Sequence, residues 1–275
     1  MNMLREIQTP SQRKNWMRTY TTLASILIGF LLVTAGTGLF GVNTYDNFAP
    51  AKYVQESRAQ DLITLILGIP LLVVAVSGVR KERIWGIPLW TGVLAYELYV
   101  YSIYAFGEVY NAFFLGYVAV ASLSMYSIIG LLTGIDAKWF QESVGEKMPR
   151  RWIGGFFILI TLIFAMIWLG QVMNTIETGI VDSGHLIFVF DLVIVLPAFT
   201  IAALKLFRTQ AFGDLLSGML LIKFDSLCIA IALGQLFRSL NNIEVETGLL
   251  SVFIPLGLIG LIFTGFYFKN LNTKE

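Results

Sequence analysis

Eight times along this chain a stretch of roughly 20 mostly apolar residues recurs, each long enough to carry an α-helix across the hydrocarbon layer of a bilayer. The stretches fall at about 20–42, 62–79, 85–107, 112–134, 153–173, 186–205, 213–237 and 248–268. In lipid, every backbone N–H and C=O must find its partner within the protein, so such runs fold as helices. Composition agrees. Hydrophobic residues make up 56% of the chain and charged residues 13%, the latter about half the share usual in a water-soluble domain. A soluble core of this size has no room for that much apolar surface. The first stretch is longer than the apolar part of a signal peptide and lacks a clear small-residue cleavage site, so it reads as a helix.

Lysine and arginine set the direction, because cytoplasmic loops retain them. One alternating set of connections and tails carries Arg5, Arg13, Lys14, Arg18, Arg80, Lys81, Arg83, Lys138, Lys147, Arg150, Arg151, Lys205, Arg208, Lys269 and Lys274. The other set carries only Lys52, Arg58 and Arg238. This imbalance of 15 to 3 predicts that the first set is cytoplasmic, and an even number of spans then puts both termini there. The expected fold is an all-α integral protein of the cell membrane with about eight transmembrane helices. It divides into a cytoplasmic tail (1–19), a first four-helix unit (20–134), a cytoplasmic linker (135–152), a second four-helix unit (153–268) and a final tail (269–275). The longest connections, about 43–61 and 135–152, are too short to fold alone, and the first reads as a connector or a lid.

The two units echo one another at a spacing of about 130 residues. Asn43-Thr44 ends the first helix and Asn174-Thr175 the fifth; Asp61-Leu62 and Asp191-Leu192 mark the second and sixth. Pro70 and Pro197 lie inside those helices, and each is followed at the same distance by a glycine, Gly86 or Gly213, that comes after an aromatic residue and opens the next helix. Four helices per unit give both units the same direction. The pattern predicts a parallel 4+4 repeat about a pseudo-twofold axis along the membrane normal. The two prolines are expected to bend their helices and release carbonyls.

Charge inside a span is costly and marks a candidate site. Glu97, Asp191, Lys223 and Asp225 fall in the apolar stretches, with Glu97 and Lys223 roughly 15–18 Å deep at 1.5 Å per residue. Under the repeat, Glu97 and Lys223 nearly superpose, which predicts an ion pair between them and leaves Asp191 and Asp225 to hold a proton or a cation. Glu97, Tyr101, Tyr104 and Glu108 recur at helical spacing and form one polar stripe. Along the seventh helix, Asp214, Ser217 or Gly218, Leu221, Asp225, Cys228, Ala232 and Gln235 fall on or near another, where Gly218 and Ala232 permit close backbone approach. Glu56, Arg58, Gln60, Asp61, Glu108, Asn111, Asp182, His185 and Arg238 collect near outer helix ends.

Much chemistry is excluded. One cysteine, Cys228, and one histidine, His185, do not make a disulfide, a paired-thiol redox centre, a bis-histidine haem or a zinc site. A net charge of +1 argues against nucleic acid. There is no phosphate-binding loop, no H-E-x-x-H and no nucleophile elbow. Lys223 has the carboxylates of a retinal site, but it lies in the seventh of eight helices inside a repeat. Asp191 and Asp225 lack any aspartyl-enzyme motif. No catalytic residue, metal or cofactor is expected. The expectation is a small proton- or cation-coupled carrier whose site comprises Glu97, Asp191, Lys223, Asp225, Tyr101, Tyr104 and Glu108. The alternatives are a non-catalytic membrane subunit or sensor whose polar residues serve packing, and a membrane-embedded enzyme acting on lipid or quinone. Expected partners are the lipid bilayer and a small-molecule or ion substrate, with self-association or a partner membrane subunit left open.

The orientation is testable directly. A fluorescent-protein fusion ending after Gln141 or Thr209 should be bright in the cytoplasm, while a phosphatase fusion ending after Tyr110 or Val245 should be active outside. The reverse pattern would invert the topology.

Overall fold

The computed structural model describes residues 10–42, 44–45, 51–107, 109–181 and 184–271. All eight apolar stretches are helical. Helix α1 is Pro10–Phe40. Helix α2 joins Ala51–Ile63, a π-helical turn Thr64–Gly68 and Ile69–Arg80. Helix α3 is Gly86–Phe106, α4 is Phe114–Gly134, and the short α5 is Ala137–Glu142. Helix α6 is Arg150–Thr178. Helix α7 joins His185–Phe190, a π-helical turn Asp191–Val195 and Leu196–Phe207. Helices α8 and α9 are Ala211–Leu240 and Thr247–Lys269.

Seven of these helices are long and apolar enough to cross a membrane, which makes this an all-α, multi-pass membrane protein. The remaining long helix, α3, has 21 residues but carries Glu97 and the tyrosines 96, 99, 101 and 104. It is buried on almost every side and hides those groups among its neighbours. Leu32, Val73, Leu162, Val193 and Ile262, by contrast, are more than half exposed on the outer helices, where lipid tails suit them. Helix α8 is the second buried element: 83% of its most apolar stretch is covered, against 22% for α9. The two inner helices cross at Gly92, where a Cβ would collide with Ile222 and the Met219 carbonyl. Glycine is required there for the backbones to approach.

Each of the two prolines follows a widened helix turn. Proline has no N–H, and its ring crowds the preceding turn. In both helices the strain is relieved by widening that turn: Ile69 N–H bonds to Thr64 C=O, and Leu196 N–H bonds to Asp191 C=O, each five residues back. The turns that follow also match. Glu82 and Thr209 take left-handed backbone angles, with φ of 55° and 51°. Arg83 N–H reaches Gly78 C=O and Gly86 N–H reaches Arg83 C=O, while Gln210 N–H reaches Lys205 C=O and Gly213 N–H reaches Gln210 C=O. The sequence offset between these bonds is the same as between Pro70 and Pro197.

Helix α2 begins at Ala51 rather than near 62, so most of the expected connector is helix. Its first turns are too polar to read as a span, yet they pack on α8, where Gln55 accepts from Asn241 and Glu56 from Arg238 and Gln235. Asp61 therefore lies deep within a helix rather than at a rim. At the opposite face, the Arg150 guanidinium makes a two-pronged pair with the fully buried Asp214, at 2.7 and 2.9 Å, and Gln141 of α5 adds a bond to the same carboxylate. Gly145 N–H bonds to Asn270 C=O. The linker and the end of α9 are thereby tied beneath α8.

Stripping one partner from a buried pair leaves an uncompensated charge. Asp214→Ala should therefore cost about 3 kcal/mol of unfolding free energy in micelles, and the Arg150→Ala, Asp214→Ala double mutant should lose less than the sum of the single losses. Additive losses would contradict the pairing.

Candidate functional site

A cavity of about 380 Å³ lies between α2, α3, α6, α7, α8 and α9. Its lining reaches the end where α2, α7 and α9 begin and includes the exposed Gly248 there, which we take as its mouth. There the Arg238 side chain, only 4% exposed, bridges Glu56 and Glu246 at 3.0 Å each. Gln235 donates to Glu56 and accepts from the Glu246 N–H at 2.8 Å. The walls are largely apolar and aromatic, with Phe164, Phe188, Phe253 and Ile103 among them. Deeper in lie Asp191, Trp168 and Tyr99.

Asp191 is the first residue of the α7 π-turn, where the widened helix presents its side chain to the cavity. It is 7% exposed. The Trp168 indole N–H donates to Oδ2 at 2.9 Å, while Oδ1 has no hydrogen-bond partner. Lys223 and the Tyr99 phenol both act on this carboxylate. The Lys223 ammonium sits 4.0 Å from the centre of the Tyr99 ring, a cation–π contact in a dry setting.

Glu97 occupies the opposite face of α3, since residues two apart on a helix point roughly 200° from each other. The expected Glu97–Lys223 pair is not made. Glu97 is fully buried and accepts from Thr64 of the α2 π-turn at 3.2 Å. Its Oε1 is bare and lies against Gly68, where a Cβ would strike it. Helix α3 is thus held between two π-turns: Thr64 meets Glu97 on one side, and Asp191 meets Tyr99 on the other. The lysine goes with Asp191 because the second π-turn, not Glu97, carries an acid to its side of α3.

The stripe on α3 is a closed polar seam. Tyr101 shares a hydrogen bond with Thr34 of α1 at 2.9 Å, and Tyr104 donates to the Ser57 carbonyl of α2 at 3.3 Å. Tyr104 also borders a smaller pocket of about 100 Å³. Glu108 and Asp182 lie outside the described residues. The Tyr45 phenol donates to Asp61 at 2.6 Å. Burial first, and then Tyr104 and Asp61, push that phenol well above its ordinary value, so it remains a donor. On α8, Asp225 accepts from Thr264 of α9 at 2.5 Å, with Oδ1 bare against Gly260, and Cys228 packs on Gly257. The α8 stripe is therefore mainly its seam with α9, and Asp225 is not part of the cavity wall.

The structure brings Asp191 and Lys223 together and leaves Glu97 and Asp225 as separate buried acids. Trp168 was not singled out by sequence reasoning. The available signal was an indole in the middle of an apolar stretch, which needs an acceptor when buried. What fold and cavity define together is a multi-pass helical membrane protein with a partly enclosed internal site. The chain matches no protein-family model, no curated protein and no solved structure.

Residues in contact couple, and separated ones add. In double-mutant cycles of micellar stability, Asp191→Asn with Lys223→Met should show coupling of about 1 kcal/mol, and Glu97→Gln with Lys223→Met should add within about 0.5 kcal/mol. Coupling confined to the Glu97 pair would restore the sequence-based pairing.

Proposed function

We propose that this protein is a small carrier of the cytoplasmic membrane that takes its solute into the α2–α9 cavity and couples its movement to protons or cations. The observation that carries this reading is the cavity itself, which runs from a polar rim to an under-bonded carboxylate on a widened helix turn. A packing scaffold has no need of such a space, and a bare buried oxygen is costly unless something occupies it. In this reading α3 is the eighth span, both termini are cytoplasmic, and the cavity mouth faces outward. Matching π-turns, prolines and left-handed turns support a parallel 4+4 repeat with α3 and α8 meeting at its axis. The carboxylates of Glu97, Asp191 and Asp225 each have one bonded and one bare oxygen, and each bare oxygen is an acceptor for a proton or a cation.

The π-turns supply a means of alternation. Each interrupts its helix where it touches α3, and such turns re-form at little cost compared with breaking a regular helix. Filling the cavity at Asp191 pulls on the α7 turn, and α3 transmits the shift toward the α2 turn through Tyr99 and Glu97.

Proteoliposomes loaded with a pH-sensitive dye provide the test. Solutes added in turn should include one that moves protons in wild-type vesicles, and Asp191→Asn should abolish that response while the protein stays monodisperse. A response unchanged in Asp191→Asn, or none with any solute, would leave the packed-subunit alternative.

A further inference from the structure

We infer that the cavity binds an amphipathic organic cation, an amine or quaternary ammonium on an apolar or aromatic body, with its charged end at Asp191. The inference rests on the carrier reading for the solute's access and deepens it by naming the solute's class. Among the described residues, every charged one lining the cavity is a carboxylate: Glu56, Glu246 and Asp191. The first two are bridged by Arg238 at the mouth. Asp191 has no such bridge. Its Oδ1 is buried, without a partner, on the wall of the cavity. Lys223 acts on this carboxylate from behind the wall, where it lies over the Tyr99 ring, and among the described residues no basic group faces Asp191 from the cavity side.

The rest of the wall selects against a bare ion. A metal cation needs several oxygen ligands, and among the described residues no cluster of His, Cys, Asp and Glu is suited to hold one. The cavity is lined by rings instead: Trp168, which bonds to Asp191, packs on Phe188 and Phe164, and Phe164 packs on Phe253. Aromatic faces attract alkylammonium and aromatic cations, most strongly where water is excluded. A volume of about 380 Å³ falls in the range of small-ligand sites. An anion would meet three carboxylates, and a neutral solute without a donor group would leave Asp191 Oδ1 unsatisfied, whereas an ammonium brings both a donor and a charge.

Ethidium, a fluorescent aromatic monocation, is a suitable probe. Its binding to the purified full-length protein in detergent is followed by fluorescence polarisation. Saturable binding is expected, weakened roughly tenfold or more by Asp191→Asn and unchanged by Glu177→Gln, which removes an exposed acid at the same rim. Gly248 has open space at the mouth, so Gly248→Trp should obstruct access and weaken binding with all three acids intact, which decides the matter if Asp191→Asn does not fold. No saturable binding by the wild type, or wild-type affinity in either Asp191→Asn or Gly248→Trp, overturns the inference. The same vesicles separate it from the carrier reading. Asp191-dependent ethidium binding without solute-driven proton movement keeps the ligand class and refutes transport. Asp191-dependent movement of an uncharged or anionic solute without ethidium binding does the reverse.

Discussion

The structure depends on how the polar groups of α3 are kept from lipid. Glu97 and the tyrosines at 96, 99, 101 and 104 need partners, because an unmet polar group in an apolar interior costs several kcal/mol, about the scale of a whole domain's net stability. Those partners come from helices that surround α3. Thr34 meets Tyr101, Thr64 meets Glu97, Gln60 meets Tyr96, and Ser57 meets Tyr104. Helix α8 closes the remaining side, with Gly92 setting the distance. The outer helices then need only be apolar on their far faces, and they are.

The prolines give this packing its site. A straight helix would hold residues 64 and 191 in regular register with their neighbours. Widening the turn ahead of Pro70 and Pro197 moves one residue per helix out of that register, and in both cases it is a polar residue that turns toward α3. In the first unit the result is a contact away from the large cavity, Thr64 to Glu97, with Glu97 Oε1 packed against Gly68. In the second, Asp191 is only half satisfied and borders open space. The same backbone device therefore yields a structural joint on one side of α3 and a binding surface on the other. The difference lies in side chains: Thr64 is small and a donor, while Asp191 is an acceptor that needs something brought to it.

Parts of this were legible in the chain. Pro70 and Pro197 marked the interrupted helices, Gly86 the start of α3 and Gly213 the first turn of α8, and the acids at 97, 191 and 225 the costly positions. The start of α2 was not legible, because its polar first turns are stabilised by Arg238 and Asn241, nearly two hundred residues away. Pairing Glu97 with Lys223 by repeat position also misled. Equal depth does not fix direction around a helix axis, and the two side chains project from different sides of the α3–α8 crossing. Trp168 carried no periodic signal at all, and its role follows only from where α7 places Asp191.

What the sequence alone determined is the solvent and the element type. Runs of apolar residues of membrane length admit helices and nothing else, because lipid offers the backbone no partners. What only the tertiary structure decided is which polar groups meet. That choice depends on rotation about each helix axis and on a close approach of a few ångströms at glycine, both set by packing between segments remote in the chain. Glu97 is consequently a joint, Asp214 an anchor for Arg150, and Asp191 the acid left facing a cavity.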